Sequence, residues 1–391
     1  MNTPEFGEAL RAIDFLAPSD MSDTLASMAR QAGAADLVIY LADFEQTMLY
    51  PVPDRGVHVE LPVGVAVTGT KAGRSFAERR VVDEQADEAG TRYWVPIVEG
   101  SECTGVLGLT MRDDGNDATQ RQVAELGMLA GAVISITARQ TDLFNMVRRR
   151  RSMSLPASLQ WDLLPPLQIR TPEGRSTGLL EPAYDVGGDS FDHAVNGFVL
   201  DVAIMDAMGH GIDSSLTSAL AVGRYRYDRR QGRALAVMHE GLNETLADRF
   251  GGHVFVTGQL ARLDLRNGRL AWTNAGHPLP LLVRAGRVTR QLDCRPSLPW
   301  GLGGALVEEV EVELEPGDTV VFYSDGVVDG RAADGSPFGI DRFVHLVEEA
   351  VNARAVPDLV LRHAVQQVAD FQSNRLQDDA TIVLLEWRPG P

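Results

Sequence analysis

The sequence predicts an α+β fold in more than one domain, and three observations carry that expectation. Its 391 residues exceed the roughly 150 typical of a single domain. Short β-branched or aromatic runs bounded by Gly, Pro and acidic turns recur along the chain, with helical stretches grouped between them instead of alternating with every strand. With 44% hydrophobic and 23% charged residues, the composition is that of a globular protein with a sizeable core.

Composition also excludes several roles. A formal charge of -18 repels phosphate backbones, so nucleic acid is not an expected partner. The opening "MNTPEFGEALRAIDF" lacks a basic stretch followed by an apolar core, which argues against a secretory signal. The longest quasi-apolar stretch, 127–138, is shorter than the about 20 residues that span a bilayer. Cys103 and Cys294 stand far apart and suggest no disulfide framework, which fits a cytoplasmic location with no membrane partner.

Taken in order, Ser19 to Ala34 reads as a helix, with Met21, Leu25 and Met28 on one face. The strand-like pieces "DLVIYLAD", "TMLYPV", "VHVEL", "RRVVD", "RYWVPIV" and "CTGVLGLTM" follow, and a helix closes the set. This arrangement over residues 1–118, and "YWVPIVEGSECTGVLGLTM" in particular, resembles a GAF sensory domain. Residues 119–170 read as a helical linker. Leu126, Leu129, Val133, Ile136, Gln140, Leu143 and Val147 have coiled-coil spacing, which suits either a homodimer seam or packing on the domain before it. Arg148 to Arg151 read as a solvated helix end, and "SLPASLQWDLLPP" as a hinge. From 171 to 391, "FVLDVAIM", "FVTGQLARLDL", "RLAWTNAG", "LPLLVRAG", "VEEVEVEL", "DTVVFYS" and "ATIVLLEW" read as strands. Tight turns at Asn267-Gly268 and Ala285-Gly286 join several of them, and helices are expected near 214–230, 233–250, 341–352 and 357–373.

Four places in this last region set aspartates beside a turn at the edge of an apolar strand. They are "VGGDSFD" (Asp189, Asp192), "IMDAMGHG" (Asp206), "FYSDGVVDG" (Asp325, Asp329) and "LQDDATIVLL" (Asp378, Asp379). One such acid is an ordinary turn residue. Four at a common sheet edge repel one another unless a cation neutralises them, and an all-oxygen set selects Mg²⁺ or Mn²⁺ over zinc.

"EPAYDVGGDSFD", "DAMGHGIDSSL", "FVTGQLARLDLRNGRLAWTNAGHPLPLLV", "LEPGDTVVFYSDGVVDGRAADGSPFG" and "DDATIVLL" occur in the order of metal-dependent protein phosphatases of the sporulation stage II E type, the bacterial branch of the protein phosphatase 2C-like superfamily. The resemblance covers roughly residues 150 to 388. It implies an αββα sandwich of two antiparallel sheets and a site for two divalent cations, Mn²⁺ or Mg²⁺. Carried over by position, Asp206 bridges both cations and Ala207 offers its carbonyl. Asp325 and Asp378 hold one cation and Asp189 the other, directly or through water, while Asp379, Asp192 and Asp329 remain structural. Asp206 and Asp189 are thereby the catalytic acids. The implied activity is hydrolysis of phosphoserine or phosphothreonine in a small phosphoprotein, an antagonist of an anti-sigma factor, under control of the N-terminal domain. A catalytically inactive scaffold is the alternative, and a two-metal nuclease is disfavoured by the net charge.

Departures from the eukaryotic pattern are Met208, two residues after the bridging acid where those enzymes carry a histidine, and the lack of a clear phosphate-binding arginine. His210 lies close enough in sequence to donate a proton, although a Gly-flanked turn explains it too. His277 in "NAGHP" reads as part of a turn, "GLGG" at 301–304 lacks the context of a dinucleotide loop, and His239, His253 and Cys103 read as core or surface residues.

Overall fold

The computed structural model describes residues 17–53, 63–86, 90–112, 116–150, 153–181, 187–304, 307–352, 357–373 and 376–390. The chain divides between Ser152 and Met153 into two compact units. The expected strand "VHVEL" lies outside the described residues. Among the described residues no helix is long and apolar enough to cross a membrane.

The N-terminal unit runs α1 (Met21–Gln31), β1 (Ala34–Ala42), β2 (Met48–Pro51), β3 (Val65–Ala66), α2 (Lys71–Glu78), β4 (Val82–Ala86), β5 (Gly90–Glu99), β6 (Glu102–Met111), α3 (Asp117–Thr137) and α4 (Leu143–Arg148). Its strands form one antiparallel sheet in the order β3-β2-β1-β6-β5-β4. Apolar side chains of α1 and α3 cover one face, and Ala72 and Phe76 of α2 pack beside Cys103 and Val106 on the other. The starts of α2 and α3 have a local cause. Thr70 Oγ1 accepts from the Gly73 N–H at 2.9 Å, and Asn116 Oδ1 accepts from the N–H groups of Ala118 and Thr119.

The linker expectation is corrected here. The helix stops at Thr137 and resumes at Leu143, leaving Gln140 outside it. Leu126, Val133 and Val147 are buried in this unit's own core, with Leu129 and Leu143 packed against it. The seam spacing therefore serves an intramolecular contact, and of the set only Ile136 and Gln140 are exposed. Gly127 and Gly131 let α3 lie close to β5, because a Cβ on Gly131 would stand 2.3 Å from the Val98 carbonyl. Nor is the arginine run simply solvated. Arg148 lies over the Phe44 ring and donates to the Ala42 carbonyl, and Arg150 stacks on Tyr50 at 3.6 Å. Arg151 is outside the described residues.

The C-terminal unit begins with α5 (Leu155–Leu163) and continues with β7 (Gln168–Thr171), β8 (Gly174–Glu181), β9 (Asp189–Asn196), β10 (Val199–Ala207), α6 (Ile212–Arg230), α7 (Leu235–Phe250), β11 (Val256–Asp264) and β12 (Arg269–Ala275). It closes with β13 (Leu281–Arg284), β14 (Arg287–Gln291), β15 (Val310–Glu313), β16 (Thr319–Tyr323), α8 (Asp325–Val328), α9 (Ile340–Asn352), α10 (Pro357–Phe371) and β17 (Ala380–Trp387). Two antiparallel sheets result, β15-β12-β11-β10-β9 and β14-β13-β16-β17-β8-β7. Phe191, Val202, Ile204 and Trp272 of the first sheet meet Leu180, Val320, Phe322 and Val383 of the second in a common core. On the outer faces, α6 and α7 cover the first sheet and α9 and α10 the second. The order of layers is helix, sheet, sheet, helix.

Strands β7, β8, β9 and β14 are absent from the sequence expectation. In β9 the cause is buried polarity. Asp192 is 1% exposed and paired with both Arg226 and Arg229, and His193 bonds Ser176 Oγ at 2.8 Å and the Pro166 carbonyl at 2.6 Å. The supposed hinge is largely the helix α5, capped by Ser154 and tied to α6 through Arg226, which donates to the Leu163 carbonyl at 2.6 Å.

The placement of α3 predicts the sign of a mutation. In a free linker helix Gly131→Ala would stabilise by about 1 kcal/mol. Packed as it is, the same change destabilises by about 1–3 kcal/mol through collision with β5, read as a lower urea midpoint of the full chain.

Candidate metal centre

Strand β10 alternates between two environments. Val202 and Ile204 point into the core between the sheets, whereas Ala203, Met205 and Ala207 face α6 and α7. A period of two puts Asp206 on the between-sheet side, at the end of the strand. The antiparallel register sets it directly opposite Asp189 of β9. Cβ atoms of such a pair lie roughly 4.5–5.5 Å apart.

The other two acids arrive from the second sheet. Asp325 stands two residues beyond the end of β16 and Asp378 two residues before β17, and these strands are neighbours in register. A hydrogen bond crosses between the sheets at this rim, from Thr381 Oγ1 to Asp189 Oδ2 at 2.5 Å. The structure thus brings Asp189, Asp206, Asp325 and Asp378 to one edge.

Asp379 has a role that sequence reasoning missed. It is 1% exposed, and its Oδ2 accepts from Gln160 Nε2 at 2.7 Å, the Gly188 N–H at 3.0 Å and the Asp189 N–H at 3.3 Å. Gln160 Nε2 also donates to the Asp189 carbonyl at 2.8 Å. From the opposite side, Ser215 Oγ donates to the Gly187 carbonyl at 2.7 Å, with Ser214 Oγ at 3.1 Å from the same oxygen. The loop 187–189 is therefore fixed by α5, α6 and the start of β17 together. Two glycines have a steric reason: a Cβ on Gly188 would lie 2.6 Å from the Ala207 carbonyl oxygen, and one on Gly326 would lie 2.1 Å from the Asp379 carbonyl oxygen.

The electrostatics follow from crowding and burial. Burial first, then repulsion by Asp206 and Asp379, holds Asp189 well above the usual carboxylate range, against hydrogen bonds from Thr381 and Ser324. Burial, then Asp325, Asp378 and Asp379, pushes Asp206 up to about 7, opposed by its hydrogen bond with Asp189. Asp325 is raised by burial, then by Asp378 and Asp329, and Asp378 is raised chiefly by burial. Among the described residues these acids are gathered without being closed, because no group of three His, Cys, Asp or Glu side chains stands ready to hold an ion. The side chains that meet here are four carboxylates, and Gly188 packs closely against the Ala207 carbonyl oxygen, so the donors are all oxygen. That chemistry fits a hard divalent cation.

The remaining residues fall elsewhere. Met208 and His210 are exposed on the turn after Asp206. Asp192 is committed to its arginines, and Asp329 is exposed. His277 closes a turn in which its N–H donates to Asn274 Oδ1 at 2.8 Å. His239 is buried between Thr273 and Ser297, and burial lowers its imidazole to about 4. Asn243 Oδ1 accepts from the N–H groups of Gly301 and Gly303, which gives "GLGG" a local structural cause.

The raised carboxyl of Asp206 has a pH consequence. Its folded-state pKa lies above the unfolded value of about 3.9, so its contribution is fully present below that pH and is lost as pH rises through about 7. With chelator present, the chain is expected to be less stable at pH 8 than at pH 5 by on the order of 2–4 kcal/mol in urea unfolding. Asp206→Asn should flatten that difference, and Mn²⁺ should restore stability at pH 8 only when Asp206 is intact.

Residues 197–388 match the family model of stage II sporulation protein E. The phosphoserine phosphatase RsbU of Bacillus subtilis (strain 168) is 23% identical over 208 residues, covering 52% of this chain and 60% of that protein. The chain therefore matches about three fifths of the length of this relative. Among solved structures, the RsbU and RsbW domains of Rv1364c from Mycobacterium tuberculosis are 24% identical, with 57% of this chain and 63% of that chain covered and a TM-score of 0.49. The SiaA-PP2C domain of Pseudomonas aeruginosa is 22% identical over 54% of this chain and 85% of that chain, at a TM-score of 0.48. Residues 197–388 of the C-terminal unit are thus similar to the stage II sporulation protein E family.

Proposed function

We propose that this chain is a cytoplasmic, metal-dependent phosphoserine and phosphothreonine protein phosphatase governed by its N-terminal unit. The observation that carries the reading is the convergence of Asp189, Asp206, Asp325 and Asp378 from two sheets onto one rim. Asp206 would bridge two cations, Mn²⁺ or Mg²⁺, beside the Ala207 carbonyl. Asp325 and Asp378 would complete one position and Asp189 the other. Bound there, the cations would lower the pKa of a water and offset charge growing on the phosphoryl oxygens.

The chain's own residues supply the positioning. Thr381 and Asp379 aim Asp189, while the lack of a Cβ at Gly188 lets its loop lie against the Ala207 carbonyl. The phosphoserine phosphatase RsbU, similar over about half of this chain, supports phosphoserine as the substrate class. The family resemblance adds a small phosphorylated antagonist of an anti-sigma factor as the substrate protein. The N-terminal unit is read as a GAF-like sensory domain, supported by its six-stranded antiparallel sheet between helices. Control reaches the rim through α5, whose Gln160 bonds both Asp379 and the Asp189 carbonyl.

Phosphate release from a phosphoserine protein should require Mn²⁺, cease with chelator, and fall by about 10²-fold or more in Asp206→Asn and in Asp325→Asn. Turnover that persists in chelator, or survives both substitutions, contradicts the reading. Removal of residues 1–152 should change the rate or the Mn²⁺ affinity, and a chain unchanged in both would leave the N-terminal unit without a regulatory role.

A further inference from the structure

The motif "NAGHP" has a place at the acid rim that a turn alone does not explain. Register sets Thr257 of β11 directly opposite Asp206 of β10, so Asp189, Asp206 and Thr257 stand side by side on three adjacent strands. Within β11, Val256 and Leu260 face α6 and α7 while Ala261 and Leu263 enter the core between the sheets. Thr257 is in phase with the latter pair and shares the face of Asp206. It is only half-buried, as suits a residue at an open edge.

Its hydroxyl is held from behind. Thr257 Oγ1 and His277 Nδ1 are 2.9 Å apart. His277 is 4% exposed, and its backbone is locked to Asn274 by two hydrogen bonds of 2.8 and 2.9 Å, so the ring has little freedom to turn. The ring lies near the Tyr323 backbone at the end of β16, and its Nε2 is buried without a hydrogen-bond partner. Burial keeps the imidazole neutral, with its pKa lowered to about 3. A neutral ring carries one proton, and the tautomer with that proton on Nε2 leaves Nδ1 bare. Nδ1 is then an acceptor for the Thr257 hydroxyl proton.

We propose that Thr257 is a positioning residue of the metal rim: its proton is committed to His277, which leaves its oxygen as an acceptor beside Asp206 that orients water held in the site. The inference rests on the reading of Asp189, Asp206, Asp325 and Asp378 as metal ligands. A hydroxyl free to rotate could equally donate toward the rim, whereas one tied to His277 presents lone pairs only. Because it stays neutral, His277 sets a direction and does not shuttle charge.

The test compares Thr257→Val, which keeps the shape, with Thr257→Ser, which keeps the hydroxyl. Mn²⁺ affinity is read by calorimetry on the full chain, and turnover is read on a phosphoserine peptide. The valine variant should lose about 10-fold in affinity or kcat, with the thermal midpoint near that of the parent, and the serine variant should recover both values. Parent-like affinity and kcat in Thr257→Val would overturn the proposal, as would equal losses in the two variants, which would mark the methyl and not the hydroxyl as the contributor. A parent chain that binds no Mn²⁺ would overturn the underlying metal reading instead, and is distinguished by failing before any variant is compared.

Discussion

Mutual repulsion among carboxylates crowded at one sheet edge is the constraint on which this structure turns. Antiparallel pairing forces Asp189 and Asp206 into opposition, and the sandwich brings Asp325 and Asp378 to the same edge from the facing sheet. Without a neutralising partner such a cluster holds protons, as the raised carboxyls of Asp189 and Asp206 indicate. With a cation present, the geometry that is costly for bare carboxylates becomes a ligand set. Strand ends suit the purpose because the rest of each strand is fixed in the apolar core, so the final side chain has little freedom to relax away.

Surrounding residues use polar chemistry to fix that edge. Asp379 gathers three N–H donors on one oxygen and thereby ties α5 and the Gly188 loop to β17. Further inside, Asp192 with Arg226 and Arg229, and Asp201 with Arg262, pin α6 and β11 to the strands that carry the acids. Buried pairs of this kind contribute little net stability, since desolvation offsets most of the attraction. Removing one partner is another matter, because it strands an uncompensated charge. They specify the registration of helix on sheet, and the acid rim inherits its order from it.

The acids were legible in the sequence because each sits where an apolar run meets a turn, a signal that is local. Asp206 and Ala207 at the end of "FVLDVAIM", Asp325 in "SDG" and Asp378 in "DDAT" all have that form. The helix-flanked pair of sheets was legible through the resemblance that the same motifs carry. What aims the acids was not, since Gln160, Ser215, Thr381 and Thr257 act through pairings dozens to more than a hundred residues apart. Strand β9 was hidden by Asp192 and His193, polar residues buried with partners that only the fold supplies. Periodicity was read correctly along α3 and assigned to two possible partners, because a seam facing its own sheet and one facing a second helix share the same spacing.

The most direct test of the central claim is electron paramagnetic resonance of Mn²⁺ bound to the full chain at neutral pH. The account predicts a spin-coupled pair at two ions per chain, since one bridging carboxylate would hold the ions about 3.5–4 Å apart. Replacing Asp206 should abolish the coupling. Isolated, uncoupled Mn²⁺ at saturation, or coupling that persists without Asp206, would contradict a shared site built on that residue.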